Sequence, residues 1–170
     1  DTLTGDSGAN VLTGGSGNDT LVGGLGNDTL DGGSGTDTAN YSGASSSVNV
    51  NLTTGQASGA DGNDTIVSVE NIVGSAHNDT LTGNSSNNVI DGGGGDDVID
   101  GMSGTDTVTY TTASGSVNVN LAAGHATGAA GNDTLSNLEN VTGSTFDDTI
   151  VGSTAANVLA GGQGNDLFEG

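Results

Sequence analysis

The chain has 170 residues, of which 21 are acidic and 33 are glycine, and it contains no Lys, Arg, Cys, Pro or Trp. Without cysteine, disulfide scaffolds and thiolate metal sites are excluded. Without a basic residue, direct electrostatic binding to nucleic acid or anionic lipid is strongly disfavoured. A formal charge of −21 with only 31% hydrophobic residues leaves two alternatives: a disordered chain, or a chain whose carboxylates are neutralised by bound cations.

A nine-residue repeat, here called a nonad, runs along the chain with the pattern G-G-x-G-x-D-x-U-x, in which U is a large apolar residue. Clear copies begin at Gly14, Gly23, Gly32, Gly92, Gly101 and Gly161, and weaker copies begin at Gly5, Gly59, Gly74, Gly83, Gly128, Gly143 and Gly152. The glycines permit a tight turn with positive φ, and the last three residues favour a short strand whose U side chain faces inward. The predicted inward ladder is Leu12, Leu21, Leu30, Ile66, Leu81, Ile90, Ile99, Val108, Leu135, Ile150, Leu159 and Phe168.

A longer repeat is superimposed on the nonads, since Tyr41 recurs as Tyr110 and Glu70 as Glu139. The predicted organisation is one continuous domain over 1–170, made of a partial unit (1–40), a complete unit (41–109) and a truncated unit (110–170). Segment 41–58 lacks the glycine motif but is as long as two nonads, which predicts one whole solenoid turn. No apolar run reaches the roughly 20 residues of a membrane-spanning helix, and no signal-peptide pattern opens the chain. We therefore expect a slice of a longer tandem array.

The predicted fold class is all-β, a right-handed parallel β-roll (a β-solenoid) with about 18 residues per turn, because two nonads close one turn and successive turns pair as parallel strands. Its core is a single file of aliphatic side chains. Burial of each, at roughly 1.5 to 3 kcal/mol, competes with ordering costs of about 1.5 kcal/mol for every residue. Bound cations are therefore expected to contribute to folding.

The nonads resemble the calcium-binding repeats of RTX (hemolysin-type) proteins, such as RTX toxins, serralysin-type proteases, bacterial lipases and epimerase R-modules. The resemblance covers most of the chain and departs from it at 41–58, 110–127 and two six-residue stretches that include Glu70 and Glu139. It implies that each Ca²⁺ ion lies between two turns. The implied ligands are sixth-position aspartates two nonads apart, together with carbonyls from the second and fourth positions of one loop and the first and third of the next.

Carried onto this sequence, the resemblance implies three sites that are each built on two aspartates. The first has Asp19 and Asp37 with carbonyls of Gly15, Gly17, Gly32 and Ser34; the second has Asp79 and Asp97 with Ser75, His77, Gly92 and Gly94; the third has Asp148 and Asp166 with Gly161 and Gln163. Two further sites contain an asparagine: Asn10 and Asp28 with Gly23 and Leu25, and Asn88 and Asp106 with Gly101 and Ser103. We expect these two to be weaker, because asparagine removes a negative charge that calcium favours.

The oxygen-only ligand set favours several Ca²⁺ ions over Mg²⁺, which prefers a tighter octahedron and retains its waters. Whether Asp64 and Asp133 bind calcium stays open, because neither has an aspartate two nonads before it. Asp91 is expected to be a solvated surface charge. The recurrence of Glu70 as Glu139 favours a structural role for these glutamates over a catalytic one. His77 and His125 do not share a repeat position, which argues against a two-histidine site.

The leading hypothesis for function is a calcium-binding structural and folding module of a secreted bacterial protein, which is disordered at cytosolic calcium and folds outside the cell. The resemblance implies type I secretion and an extracellular or cell-surface location. The alternative is a segment of an extracellular adhesin or a calcium-dependent fibre, which adds self-assembly or an extracellular polysaccharide to the candidate partners. No enzymatic activity is expected, since no hydrolase or metalloprotease motif is present.

Overall fold

Short strands with a buried centre make up the regular structure. A computed structural model describes residues 1–59 and 61–170, which form twenty strands. In a typical strand the central apolar residue is buried and its neighbours face outward, as Leu21 is between Thr20 and Val22. This alternation is what a strand with one buried face requires. None of the described residues form a helix long and apolar enough to cross a membrane.

The strands are β1 (Thr2–Thr4), β2 (Val11–Ser16), β3 (Thr20–Val22), β4 (Thr29–Ser34), β5 (Thr38–Asn40), β6 (Val48–Asn51), β7 (Gln56–Gly59), β8 (Gly62–Val67), β9 (Asn71–Val73), β10 (Thr80–Thr82), β11 (Val89–Asp91), β12 (Val98–Asp100), β13 (Thr107–Thr109), β14 (Val117–Asn120), β15 (His125–Gly128), β16 (Gly131–Ser136), β17 (Asn140–Thr142), β18 (Thr149–Val151), β19 (Leu159–Ala160) and β20 (Leu167–Glu169).

Two sheets form the sides of a parallel β-roll, which confirms the predicted fold class. The eight-stranded sheet has the order β1-β3-β5-β9-β11-β13-β17-β19, and the twelve-stranded sheet has the order β2-β4-β8-β7-β6-β10-β12-β16-β15-β14-β18-β20. Consecutive turns pair with an offset of two nonads, as in Leu21 beside Leu3 and Ile99 beside Leu81. One turn therefore closes after two nonads, as the repeat predicts.

The chain departs from this pattern at 41–58 and 110–127, where the prediction of a plain solenoid turn is wrong. Strands β6, β7 and β8 form an antiparallel meander within the twelve-stranded sheet, and β14, β15 and β16 repeat it. Strand β8 pairs with β4 in parallel, whereas β6 pairs with β10 of the following turn. Each repeat thus adds two strands to one sheet only, which accounts for twelve strands on one side and eight on the other.

The core is a continuous file of aliphatic side chains between the two sheets, and it includes most of the predicted ladder. Leu21, Leu30, Leu81, Ile90 and Ile99 are each 0% exposed. At the meanders the core is completed by buried Tyr41 and Tyr110. Phe168 departs from the prediction, since it lies in strand β20 at the edge of its sheet and is 46% exposed.

Candidate metal sites between the loops

The loops between the two sheets stack in two rows along the roll, and the sixth position of each nonad lies inside a row. Row one leads from the twelve-stranded to the eight-stranded sheet and contains Asp19, Asp37, Asn88, Asp106 and Asn157. Row two leads back and contains Asn10, Asp28, Asp79, Asp97, Asp148 and Asp166. Asp64 and Asp133 lie within strands β8 and β16 and continue row two, because each accepts a hydrogen bond from a row-two aspartate. The repeat therefore concentrates carboxylates along two lines, although like charges at this spacing repel one another.

Hydrogen bonds join the sixth residues of adjacent turns. The backbone N–H of Asp19 donates to Oδ1 of Asp37 at 2.7 Å, and that of Asp79 donates to Oδ1 of Asp97 at 2.8 Å. The other pairs with the same spacing are Asn10 with Asp28, Asn88 with Asp106 and Asp148 with Asp166, at 2.8, 2.7 and 3.0 Å. All five predicted pairs thus lie on neighbouring turns.

The second carboxylate oxygen distinguishes some of these aspartates from the others. Oδ2 is buried and has no hydrogen-bond partner among the described residues in Asp19, Asp28, Asp37 and Asp106. Each of these residues is 2% exposed or less. A buried carboxylate oxygen without a partner is costly. A cation that these oxygens contact would remove that cost.

Backbone oxygens approach three of these carboxylates, those of Asp19, Asp37 and Asp106, because the first residue of each nonad is glycine. A Cβ added to Gly14 would lie 2.5 Å from Oδ2 of Asp19 and 2.6 Å from the carbonyl oxygen of Gly32 in the next turn. The missing side chain therefore lets a carboxylate and a carbonyl converge. Among the described residues no three His, Cys, Asp or Glu side chains group together to hold a metal. Carbonyl oxygens must complete any site, and such a donor set fits Ca²⁺.

The loops fall into two conformations, which we call open and closed. In an open loop the second residue has positive φ; these residues are Gly15, Gly24, Gly33, Gly93, Met102 and Gly162. In a closed loop the second residue donates its N–H to the sixth side chain; these pairs are Asp6–Asn10, Ser75–Asp79, Asn84–Asn88, Ser144–Asp148 and Ser153–Asn157. All four carboxylate oxygens without a partner belong to open loops.

Serine at the second position closes the loop further. The Ser75 hydroxyl donates to Oδ1 of Asp79 at 2.8 Å, and Ser144 makes the same bond to Asp148. The first aspartate of two predicted sites, Asp79 and Asp148, is thus already hydrogen-bonded within its own loop. The carbonyl of Ser75, a predicted ligand, accepts the N–H of Gly94 at 3.1 Å.

Asn88 is also fully engaged. Its Oδ1 accepts the N–H of Asn84 at 2.8 Å, and its Nδ2 donates to the carbonyl of Glu70 at 2.6 Å. The equivalent Asn157 donates to the carbonyl of Glu139 at 2.6 Å. An aspartate could not donate this bond, so the asparagine has a structural reason that the sequence pattern alone did not reveal.

Asp64 and Asp133, which the sequence left open, lie in row two. The N–H of Asp28 donates to Oδ1 of Asp64 at 2.9 Å across 36 residues, because the meander intervenes between the two turns. Asp97 makes the same bond to Asp133 at 3.1 Å. Four nonads span 36 residues, so a comparison of sixth positions 36 residues apart in the sequence would have found both pairs.

Buried tyrosines hold these two aspartates. The Tyr41 hydroxyl donates to Oδ2 of Asp64 at 3.0 Å, and the Tyr110 hydroxyl donates to Oδ2 of Asp133 at 2.9 Å. Burial and the adjacent aspartate raise the pKa of both tyrosines far above the ordinary value. The hydroxyls therefore remain protonated and donate to the carboxylates.

Desolvation raises the pKa of four carboxyl groups in the rows. Burial raises the pKa of Asp97 to about 8, and the charges of Asp133 and Asp79 add to the effect. Burial likewise raises the pKa of Asp64, Asp106 and Asp133. No Lys or Arg exists in the chain to offset these charges. The arrangement favours either protons or cations at these four carboxyl groups.

The environments of Asp91, His77 and His125 are also defined by the structure. Asp91 is only 5% exposed and accepts the hydroxyl of Thr112 at 3.0 Å, so the expectation of a solvated charge is wrong. Thr112 lies in the segment between β13 and β14 that leads into the second meander. His77 and His125 are both exposed and lie in a row-two loop and in strand β15 respectively.

Comparison with known families identifies the repeat. The family model described as "RTX calcium-binding nonapeptide repeat (4 copies)" matches residues 1–39, 73–108 and 142–170, which is more than half of the chain. The chain belongs to this family of calcium-binding repeat modules. The intervals between the matches contain the antiparallel meanders. No curated protein matches the chain.

Proposed function

We propose that this chain is a structural, non-enzymatic segment of a secreted bacterial protein, which stays unfolded at the low calcium of the cytosol and folds into the roll in extracellular calcium. The observation that supports it most is the stack of buried carboxylates whose Oδ2 atoms have no partner among the described residues. At a formal charge of −21 the metal-free chain repels itself, and bound cations relieve that repulsion. An unfolded chain also suits passage through a narrow type I secretion channel.

The calcium ions of this proposal lie in the open loops. Asp19, Asp28 and Asp97 each provide a buried sixth-position carboxylate in an open loop, and each is followed in its row by another aspartate. The closed loops of Asp79 and Asp148 bind calcium less tightly in this proposal. There an ion must displace hydrogen bonds from Ser75 and Ser144 that already satisfy the carboxylates.

A calcium titration followed by far-UV circular dichroism tests the proposal. Above pH 8 the chain in chelator should show a coil spectrum. Added Ca²⁺ should produce a cooperative change to β-structure that equimolar Mg²⁺ does not produce, because Mg²⁺ prefers a tighter octahedron and retains its waters. A β spectrum that persists in chelator above pH 8, or no transition in millimolar Ca²⁺, would contradict calcium-coupled folding.

Sedimentation velocity in the same titration separates the folding role from the fibre-forming alternative. A folding module should become more compact at constant mass when calcium is added. Growth in mass that follows the β transition would instead indicate calcium-dependent assembly.

A further inference from the structure

The two six-residue stretches 68–73 and 137–142 replace a nonad in row one, and each places a glutamate where the row expects an aspartate. In an ordinary turn the seventh residue donates its N–H to the sixth carbonyl of the preceding turn, as Thr38 does to Asp19 at 2.8 Å. Asn71 makes this bond to Asp37 at 2.9 Å. The backbone register therefore puts Glu70, the residue before Asn71, at the sixth position.

The carboxylate of Glu70 also behaves as a sixth-position carboxylate. Its Oε2 accepts the N–H of Asp37 at 2.9 Å, as Oδ1 of Asp37 accepts the N–H of Asp19 at 2.7 Å. The stretch is shorter than a nonad. The additional methylene of glutamate lets its carboxylate reach the position that an aspartate takes in an ordinary turn.

A backbone carbonyl of the six-residue stretch also takes the position that it has in an ordinary turn. The first-position carbonyl of the next turn normally lies close to the first glycine, as that of Gly32 does beside Gly14. Beside Gly32 this position is taken by the carbonyl oxygen of Ser68, a residue whose φ is 49°. Oδ2 of Asp37 lies close to Gly32 as well. Oδ2 of Asp37 is buried and has no partner among the described residues.

The second repeat copies every part of this arrangement. The N–H of Asp106 donates to Oε2 of Glu139 at 2.9 Å, and the carbonyl of Asn137, with a φ of 51°, lies beside Gly101. Oδ2 of Asp106 is again buried and without a partner among the described residues. Two independent copies with the same unsatisfied oxygen indicate a built site.

We propose that Asp37 with Glu70, and Asp106 with Glu139, each bind one additional Ca²⁺ ion, with the carbonyls of Ser68 and Asn137 among the ligands. These sites lie outside the nonad pairs, since the second carboxylate comes from a non-nonad stretch. The inference rests on calcium binding by the open loops and does not depend on secretion.

The test counts the ions on the compact protein by native mass spectrometry at saturating calcium. The variant Glu70→Gln/Glu139→Gln retains an oxygen that can accept the N–H of Asp37 or Asp106, so the structural hydrogen bond survives while the ligand charge is lost. The matched control is Glu169→Gln, which changes the exposed third glutamate of the chain. The double variant should bind two fewer Ca²⁺ ions than the wild type, each single variant should bind one fewer, and the control should bind the same number.

A double variant with the wild-type ion count would overturn the inference and leave the proposed function intact. A wild type that binds no calcium would overturn both. If the double variant does not become compact, the single variants decide, because the mass spectrum counts ions on the compact population alone. A compact single variant with an unchanged count would then overturn the inference.

Discussion

The buried tyrosine hydroxyls allow the energy of one carboxylate contact to be isolated. In Tyr41→Phe the ring stays in the core, but Oδ2 of Asp64 loses the donor that lies 3.0 Å away. Hydrogen bonds to charged groups contribute roughly 1.5 to 3 kcal/mol, so we expect the free energy of unfolding in saturating calcium to fall by about 2 kcal/mol. With an m value of about 2 kcal/mol/M, the urea midpoint should fall by about 1 M.

A second tyrosine variant and an exposed serine variant test whether burial gives this contact its strength. Tyr110→Phe removes the equivalent bond to Asp133 in the next repeat and should cost about as much, and the two losses should add because distant sites are independent. The control is Ser45→Ala, which removes a hydroxyl–carboxylate bond of 3.0 Å to Asp61 at an exposed position. Exposed contacts of this kind contribute about 0 to 1 kcal/mol. Equal effects of the tyrosine and serine variants would refute the argument that burial gives the contact its strength.

Three more outcomes follow from the loop rows. In chelator, β-structure should be greater at pH 5 than above pH 8. Burial raises the pKa of Asp97 from the ordinary value of 3.8 to about 8 in the roll, so the stability of the metal-free roll falls as the pH rises between these values. β-structure that increases with pH would contradict this prediction. Ser75→Gly should open its loop and tighten calcium binding, measured by isothermal titration calorimetry against exposed Ser85→Gly, and an unchanged affinity would refute the closed-loop argument. Asn88→Asp should destabilise the roll to urea by about 1 to 3 kcal/mol, because the carbonyl of Glu70 loses its donor; a gain in stability would contradict it.

The period of the roll could be read from the sequence because one physical rule governs it. A nonad ends in a strand with one inward residue, so Leu21, Ile99 and their equivalents define both the core and the two-nonad offset between turns. The sixth-position pairs follow from the same offset. Local pattern and global fold agree along most of the chain, as expected of a repeat protein.

The meanders could not be read in the same way. Alternation in Val48 to Leu52 indicates a strand with one buried face, but it does not specify whether the neighbouring strand runs parallel or antiparallel. The antiparallel pairing of β6 with β7 is therefore a tertiary result. It also conceals the pairing of Asp28 with Asp64, because a search at a spacing of two nonads stops inside the meander.

The division into open and closed loops could be predicted in part from the sequence. Five of the six second residues with positive φ are glycine, the residue that tolerates this conformation best. Ser75 and Ser144 interrupt the glycine pair and mark closed loops, whereas Met102 adopts a φ of 70° without being glycine. The role of Glu70 needed the structure, since only the backbone register shows that it takes the sixth position.

A crystal structure of the calcium-bound chain, with the ions located from their anomalous scattering, tests the central claim most directly. We predict ions between the turns beside Asp19, Asp28, Asp37, Asp97 and Asp106, each in contact with a carboxylate oxygen and with backbone carbonyls. Ions confined to the closed loops of Asp79 and Asp148, or no ion beside these five aspartates in saturating calcium, would contradict the account.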